Sequence, residues 1–439
     1  YLPMKISYWK VYNNYTLIVY KMIKKIVLIV TILLANFGFA QENTASPYSF
    51  YGIGSTKFKG TNDIVNMGGI SVYADSTHIN VLNPATYANQ MLTSFQVGVT
   101  SSFYKLNAGS ETEKAQKTSF DYLVLGFPVS KNLGVSLGLV PQSAVGYRFK
   151  KNDLSDDKIV TNNYIGKGGV NKVYFGSGYK LNSKFSVGLE FQYVFGSIET
   201  ESQKFEQGVL YGAREINESS LSGVAFNAGL TYNTKLNNKL NFMSSLTYSP
   251  EAKLNSNNVR NVALISLASN GSAVQASNDK EVNVADSKLN IPSKLALGAG
   301  IGNRKWFVGG DVTFSGTGSQ INRFDNYANV SFENSTKVAF GGFYLPKFDS
   351  YDNYLERIVY RGGFRFENTG LVVNNTAIKD KAVNLGFGLP ITGSFSNLNI
   401  GVEYGQRGTV LKGLVREEYF SVSLGLIFND KWFRKTLYN

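Results

Sequence analysis

Glu190 and Gln192 stand two residues apart in the stretch KFSVGLEFQYVFG (184–196), interleaved with Phe185, Val187, Leu189, Phe191, Tyr193 and Phe195. A carboxylate there could act as an acid or base, a metal ligand or an ion-pair partner. The rest of the chain narrows the choice. Its 439 residues include no Cys and one His, which removes thiol nucleophiles, thiolate metal sites, disulfides and the usual histidine-centred triads. No catalytic constellation, metal site or cofactor motif is left, and the chain is not expected to be an enzyme. His78 reads as a satisfied structural residue. What remains is a set of charges, Glu190, Asp311, Arg361, Arg365, Glu367, Glu403 and Arg407, whose chemistry is ion pairing and hydrogen bonding to polar partners or water.

Those residues need elements that aim them at one place. Successive side chains of a strand point to opposite faces, so the strict alternation of 184–196 marks a sheet with one apolar and one polar side. The pattern recurs. In 398–407 Leu398, Ile400, Val402 and Tyr404 oppose Asn399, Gly401, Glu403 and Gly405, and in 224–232 the second face carries Ala225, Asn227, Gly229 and Thr231. Long Lys and Glu side chains should dominate the wet face of a soluble sheet, yet here Gly, Ser, Asn and Thr do. That composition suits a crowded or water-filled lumen with lipid outside. Fourteen candidate strands lie between 95 and 429, an even number, as a single-chain barrel requires. Short turns such as 130–133 and 182–184 alternate with long polar stretches at 105–118, 150–169, 200–218 and 254–290, read as periplasmic turns and extracellular loops respectively. The expected fold is all-β, a transmembrane 14-stranded antiparallel β-barrel over 94–430, followed by a tail at 431–439. The Phe185 row then faces lipid, and Glu190 with Gln192 faces the lumen.

The start of the chain supplies an address. Met22 opens MIKKIVLIVTILLANFGFAQ, where Lys24 and Lys25 precede an apolar core and Gly38 and Ala40 precede a cut, so 22–40 reads as a secretory signal peptide. Residues 1–21 read as an upstream over-read. Removing 1–40 takes away Lys5, Lys10, Lys21, Lys24 and Lys25 and no acids, so the net charge falls from +13 to +8. The exported chain has no basic run or nucleic-acid motif, so its charge points to an anionic membrane surface and not to nucleic acid. The expected location is the outer membrane of a Gram-negative cell, with its lipid as one partner.

Two features interrupt the pattern. Pro141 falls inside the third candidate strand, where a residue without an N–H breaks the ladder locally. Residues 41–93 do not alternate at all and are rich in the Asn, Ser, Thr and Gly that could satisfy a charged lumen. This segment carries Met67-Gly68-Gly69, Asp75-Ser76-Thr77 and Asn83-Pro84-Ala85 followed by Thr86-Tyr87. With GLVPQSAVGYRF at 138–149, IPSKLALGAG at 291–300, KWFVGGDVTFS at 305–315 and YFSVSLGLIFNDKWF at 419–433, it resembles the FadL/TodX long-chain fatty acid transporter family, in the branch common in Bacteroidota that also includes the secretion-associated protein PorV.

The resemblance implies that 41–93 folds inside the lumen as a hatch, with Asn83, Pro84 and Ala85 as its motif. It also implies a side opening at a kink in the third strand, which falls at Pro141, Gln142 and Ser143, and a ligand groove built by the loops at 200–218 and 254–290. Those loops contain Val209, Leu210 and Tyr211, and Leu264, Ile265 and Leu267; their candidacy as ligand contacts rests on apolar character in an outer loop. Two functions follow. One is passive uptake of hydrophobic small molecules such as long-chain fatty acids. The other is a non-transporting accessory subunit of an outer-membrane secretion or assembly complex.

Overall fold

The computed structural model describes residues 44–431 apart from 156, 269–271, 323–328, 351 and 393. The signal-peptide reading of 22–40, the segment 1–21, residues 41–43 and the tail from 432 lie outside the described residues. One sheet of twenty hydrogen-bonded segments resolves into a closed barrel of fourteen staves. They are β1 Thr93–Ala108, β2 Glu111–Pro128, β3 Leu133–Ser155, β4 Lys158–Lys180, β5 Phe185–Glu206 and β6 Gly212–Lys235. Then come β7, Asn241–Ser249 continued by Ala252–Leu267, and β8, Ser287–Ile291 continued by Lys294–Gly302. β9 is Trp306–Ser315, and β10 is Ser335–Tyr344 preceded by Val330–Phe332. β11 Val359–Val373, β12 Thr376–Pro390, β13 Asn397–Gly408 and β14 Arg416–Asp430 complete the wall. All neighbours are antiparallel, and β1 closes on β14 from Thr93↔Asp430 to Asn107↔Arg416.

The outer surface shows why this sequence closes on itself in lipid. Every stave exposes large apolar side chains, from Phe95 on β1 through Phe191 on β5 and Phe340 on β10 to Phe420 on β14. In water so continuous a belt would be an aggregation surface; against acyl chains it is the stabilising face. The Phe185 row points outward as its alternation requires, with Leu189 69% exposed, while Glu190 and Gln192 are buried on the inner face.

The long stretches at 105–118, 150–169 and 200–218 are not loops. They continue the staves as tall hairpins, with turns reduced to 109–110 between β1 and β2 and 207–211 between β5 and β6. Residues 254–290 likewise are largely strand: β7 runs to Leu267, and Ala273–Gln275 and Lys280–Asn283 fold back to pair with it. The physical reason is that both faces of a hairpin above the bilayer are in water, so its residues carry no apolar alternation. β3 to β6 reach 23, 23, 22 and 24 residues against 10 for β9, so the wall is much taller on one side.

The small inward residues serve the hatch. A Cβ at Gly188 on β5 would overlap the backbone of Pro84 and Ala85, and one at Gly341 on β10 would overlap that of Met67. The lumen is crowded, and close approach of two backbones is what those glycines permit.

Leu189→Arg places a cation in the acyl belt, and we expect it to cost about 2–4 kcal/mol near the midplane. Refolding into lipid vesicles with urea titration and a heat-modifiability gel should show that loss; wild-type stability would contradict the assignment of this face to lipid.

Candidate functional site

The hatch is threaded by short elements that touch opposite sides of the wall. The helical turn Asn62–Val65 lies against β12 to β14, and the 3-10 turn Pro84–Asn89 lies against β2 to β6. Asn83 caps the second turn by accepting the Ala85 N–H at 3.1 Å, and Asn83, Pro84 and Ala85 are all buried, so the motif holds a tight turn against glycine-lined strands. Tyr87 then donates to Glu190 (2.8 Å), which also accepts from Gln192 and lies 3.7 Å from Lys172. Asp311 accepts the backbone N–H of Ser71 at 2.5 Å, and Arg361 donates to Asn399 at 2.9 Å.

On the far side the buried charges form one cluster. Arg365 pairs with Glu403 (3.2 Å) and Asp380 (3.7 Å), and Arg407 pairs with Asp380 (2.8 Å). Tyr419 donates to Asp380 and accepts from Arg365. Two links cross to the hatch: Lys59 reaches Glu403 at 3.3 Å and Arg407 reaches the Ser55 hydroxyl at 3.4 Å. Burial, with repulsion from Arg365, pushes the Lys59 ammonium below its ordinary value against the pull of Glu403. Glu367, the register partner of Asp380, lines a cavity together with Arg365 and Arg407. Lys59, Asp380 and Tyr419 were not singled out by pattern: Asp380 sits in Lys379-Asp380-Lys381, which reads as a solvated run until the inward parity of β12 is known.

The wall has a break. The β2–β3 ladder ends at Leu123↔Leu139, immediately before Pro141, although both staves continue far beyond it. On β3 the register with β4 shifts between Pro141 and Ser143, leaving Gln142 as a bulge, and on β2 the register with β1 skips Asp121. Bulges on both margins splay the two strands. Into the gap comes the hatch: Ser55 and Thr56 pair antiparallel with Ala144 and Ser143, Lys57 donates its N–H to the Gln142 carbonyl (3.0 Å), and Ser143 Oγ donates to the Ile53 carbonyl (2.7 Å). The Lys57 ammonium then crosses to Asp121 at 3.5 Å. Cavities of about 110 Å³ and about 300 Å³ adjoin this hatch strand, and Ser55, Thr56, Phe58 and Lys59 line both.

Pro141, Gln142 and Ser143 are therefore at the break. The apolar runs of the upper wall are neighbours: Gly212, next to Tyr211, pairs with Ile265, and Ala213 with Leu264. Val209, Leu210, Tyr211, Leu264 and Leu267 are at least half exposed, whereas Ile265 is buried.

The fold and the site define a hatch-plugged transmembrane β-barrel with an interrupted wall. Within that class the chain belongs to the BamG family, whose model matches residues 22–439. Its fold is similar to that of the toluene transporter TodX of Pseudomonas putida, with 15% identity, 87% of this chain and 100% of that chain covered and a TM-score of 0.57. The toluene transporter TbuX of Ralstonia pickettii gives 12%, 84%, 98% and 0.56, and a Pseudomonas aeruginosa FadL homologue 13%, 86%, 98% and 0.55. The FadL/TodX-like barrel implied by the motifs is thus the one observed. No curated protein matches the chain.

One titratable pair sits in the hatch. Burial opposes ionisation of both Asp75 and His78, but His78 Nδ1 lies 2.7 Å from Asp75 Oδ2 and Thr77 donates twice to Oδ1, so the carboxyl is held well below its usual range. The same contact raises the imidazole above its ordinary value. A depressed Asp stabilises above its unfolded pKa and loses that as pH falls through the folded value. A raised His stabilises below its unfolded pKa and loses that as pH rises through the folded value. The pair therefore contributes fully between roughly pH 4 and 6.5 and fades on either side. NMR of the single imidazole should show an elevated midpoint that falls in Asp75→Asn; an unshifted midpoint in the wild type would contradict the pairing.

Proposed function

We propose that this protein is an outer-membrane channel for passive uptake of hydrophobic small molecules, long-chain fatty acids or smaller hydrocarbons. In this reading the ligand lands on the upper wall among Val209, Leu210, Tyr211, Leu264 and Leu267, the buried Ile265 being no contact, enters the lumen cavities, and leaves sideways at Pro141, Gln142 and Ser143. The observation that carries it is the break between β2 and β3 at the level of the acyl belt. Unpaired backbone facing lipid is costly, so a wall that stops pairing there needs a substitute, and the substitute is a two-residue strand of a separate segment. A short movement of Ser55–Lys57 would connect both cavities to the membrane. The likeness to toluene transporters supports this reading.

Membership of the BamG family favours a second reading, a non-transporting subunit of an outer-membrane assembly or secretion complex. There the hatch is a permanent seal and the break a structural consequence of two bulges.

A crosslink separates them. Thr56 and Ser143 are register partners and the chain has no Cys to compete, so Thr56→Cys with Ser143→Cys should form a reducible disulfide across the gap. Uptake of labelled fatty acid or toluene by cells should fall to background when the pair is oxidised and recover with reductant. Uptake unchanged by a fully formed crosslink, together with stable copurification with an assembly complex, would sink the channel reading.

A further inference from the structure

At the end of the barrel opposite the tall hairpins, four short turns are built alike. Between β2 and β3 the Ser130 hydroxyl accepts the N–H groups of Asn132 (3.3 Å) and Leu133 (3.1 Å). Between β4 and β5 Asn182 accepts from Lys184 (2.8 Å) and Phe185 (2.9 Å), and between β6 and β7 Asn237 accepts from Lys239 and Leu240, both at 2.8 Å. Between β8 and β9 Asn303 accepts from Lys305 (2.7 Å) and Trp306 (3.1 Å). A side chain that satisfies the amides closing a turn leaves the tip residues to stand in the open. Each tip is basic: Lys131, Lys184, Lys239, Arg304 and Lys305 are all exposed, and none has an ion-pair partner among the described residues.

The four turns, 128–133, 179–185, 234–240 and 302–306, carry one, two, two and two Lys or Arg and no Asp or Glu. The other connections at this end differ: 345–358 mixes Lys347 and Arg357 with Asp349, Asp352 and Glu356, and 391–396 carries no charge. The basic face is therefore a sector over β2 to β9, far more local than the net charge of the chain. The same turns hold apolar side chains. Val129, Leu181 and Leu236 are 55%, 57% and 58% exposed, and Leu181 and Leu236 continue the lipid-facing rows of β4 and β6. Tyr179, Phe185 and Trp306 stand on the outward rows beside them, where aromatic rings meet a membrane interface. A soluble acidic partner would match the charge and leave the outward apolar residues without a counterpart. A phospholipid with an anionic headgroup supplies both, acyl chain for the leucines and phosphate for the lysines. We infer that the turns from β2 to β9 form a binding rim for anionic phospholipid headgroups of the leaflet at the short-turn end. The inference rests on neither functional reading above.

The test refolds the full-length protein into phosphatidylcholine vesicles and compares spin-labelled phosphatidylglycerol with spin-labelled phosphatidylcholine by the fraction of each held motionally restricted at the barrel surface. Phosphatidylglycerol should associate about fivefold more strongly, the factor that one basic residue at an anionic lipid surface supplies. Combining Lys131→Gln, Lys184→Gln, Lys239→Gln and Lys305→Gln should bring the two lipids to parity, while Arg at the same four positions should keep the preference. Lys114→Gln, Lys150→Gln, Lys280→Gln and Lys379→Gln together, toward the other end of the barrel, should leave it unchanged. Barrel formation in each variant is checked by heat-modifiability. Should the fourfold turn variant not fold, the lipid preference of the wild type and of the Arg variant still decides. Equal association of both lipids with the wild type would overturn the inference and leave the basic sector to a soluble acidic partner. A preference that survives the turn substitutions, or that disappears with the Lys114 set, would overturn it as well.

Discussion

A wall of fourteen strands encloses more space than its own side chains can fill, and everything else in this molecule answers that constraint. Charges that face such a lumen must be paired or hydrated. Here they are paired, and part of the pairing comes from the hatch: Lys59 on Glu403, Tyr87 on Glu190, the Ser71 backbone on Asp311. The exposed pairs of the tall hairpins, such as Lys158 with Glu206, are screened by water and hold little. Removing one partner from the buried Arg365 cluster would instead strand a charge, at about 3–5 kcal/mol. Lys59 on Glu403 and Arg407 on the Ser55 hydroxyl tie the hatch into that cluster.

The attachment at the break itself is slight. Elsewhere on β2 and β3 the hatch packs Ile79, Val81 and Tyr87 into a buried cluster with Tyr122, Val124 and Val140. Across the gap it is held by two paired residues, a few hydrogen bonds and Lys57 with Asp121. That short stretch between firmly packed segments is the part suited to moving, and both cavities adjoin it.

Much of this was legible in the sequence, for identifiable reasons. Period-two alternation with small residues on one face gave the outward row of Phe185 and the inward Glu190, because lipid on one side and a backbone-filled lumen on the other enforce that pattern. Pro141 marked the interruption because proline cannot serve a ladder. The tall hairpins were hidden, since water on both faces erases the alternation of 150–169 and 200–218. The Ser55–Thr56 strand was invisible too: two residues carry no period, and their pairing depends on a gap that exists only in three dimensions. Asp380 between two lysines was masked by its neighbours.

The central claim is that residues 44–92 are what keeps the lumen closed. Planar-bilayer conductance of the full chain against a variant lacking that segment, both checked for barrel formation by heat-modifiability, tests it directly. A nearly silent full-length barrel and a large, steady ion conductance after deletion is the predicted result; equal conductance from the two would contradict it.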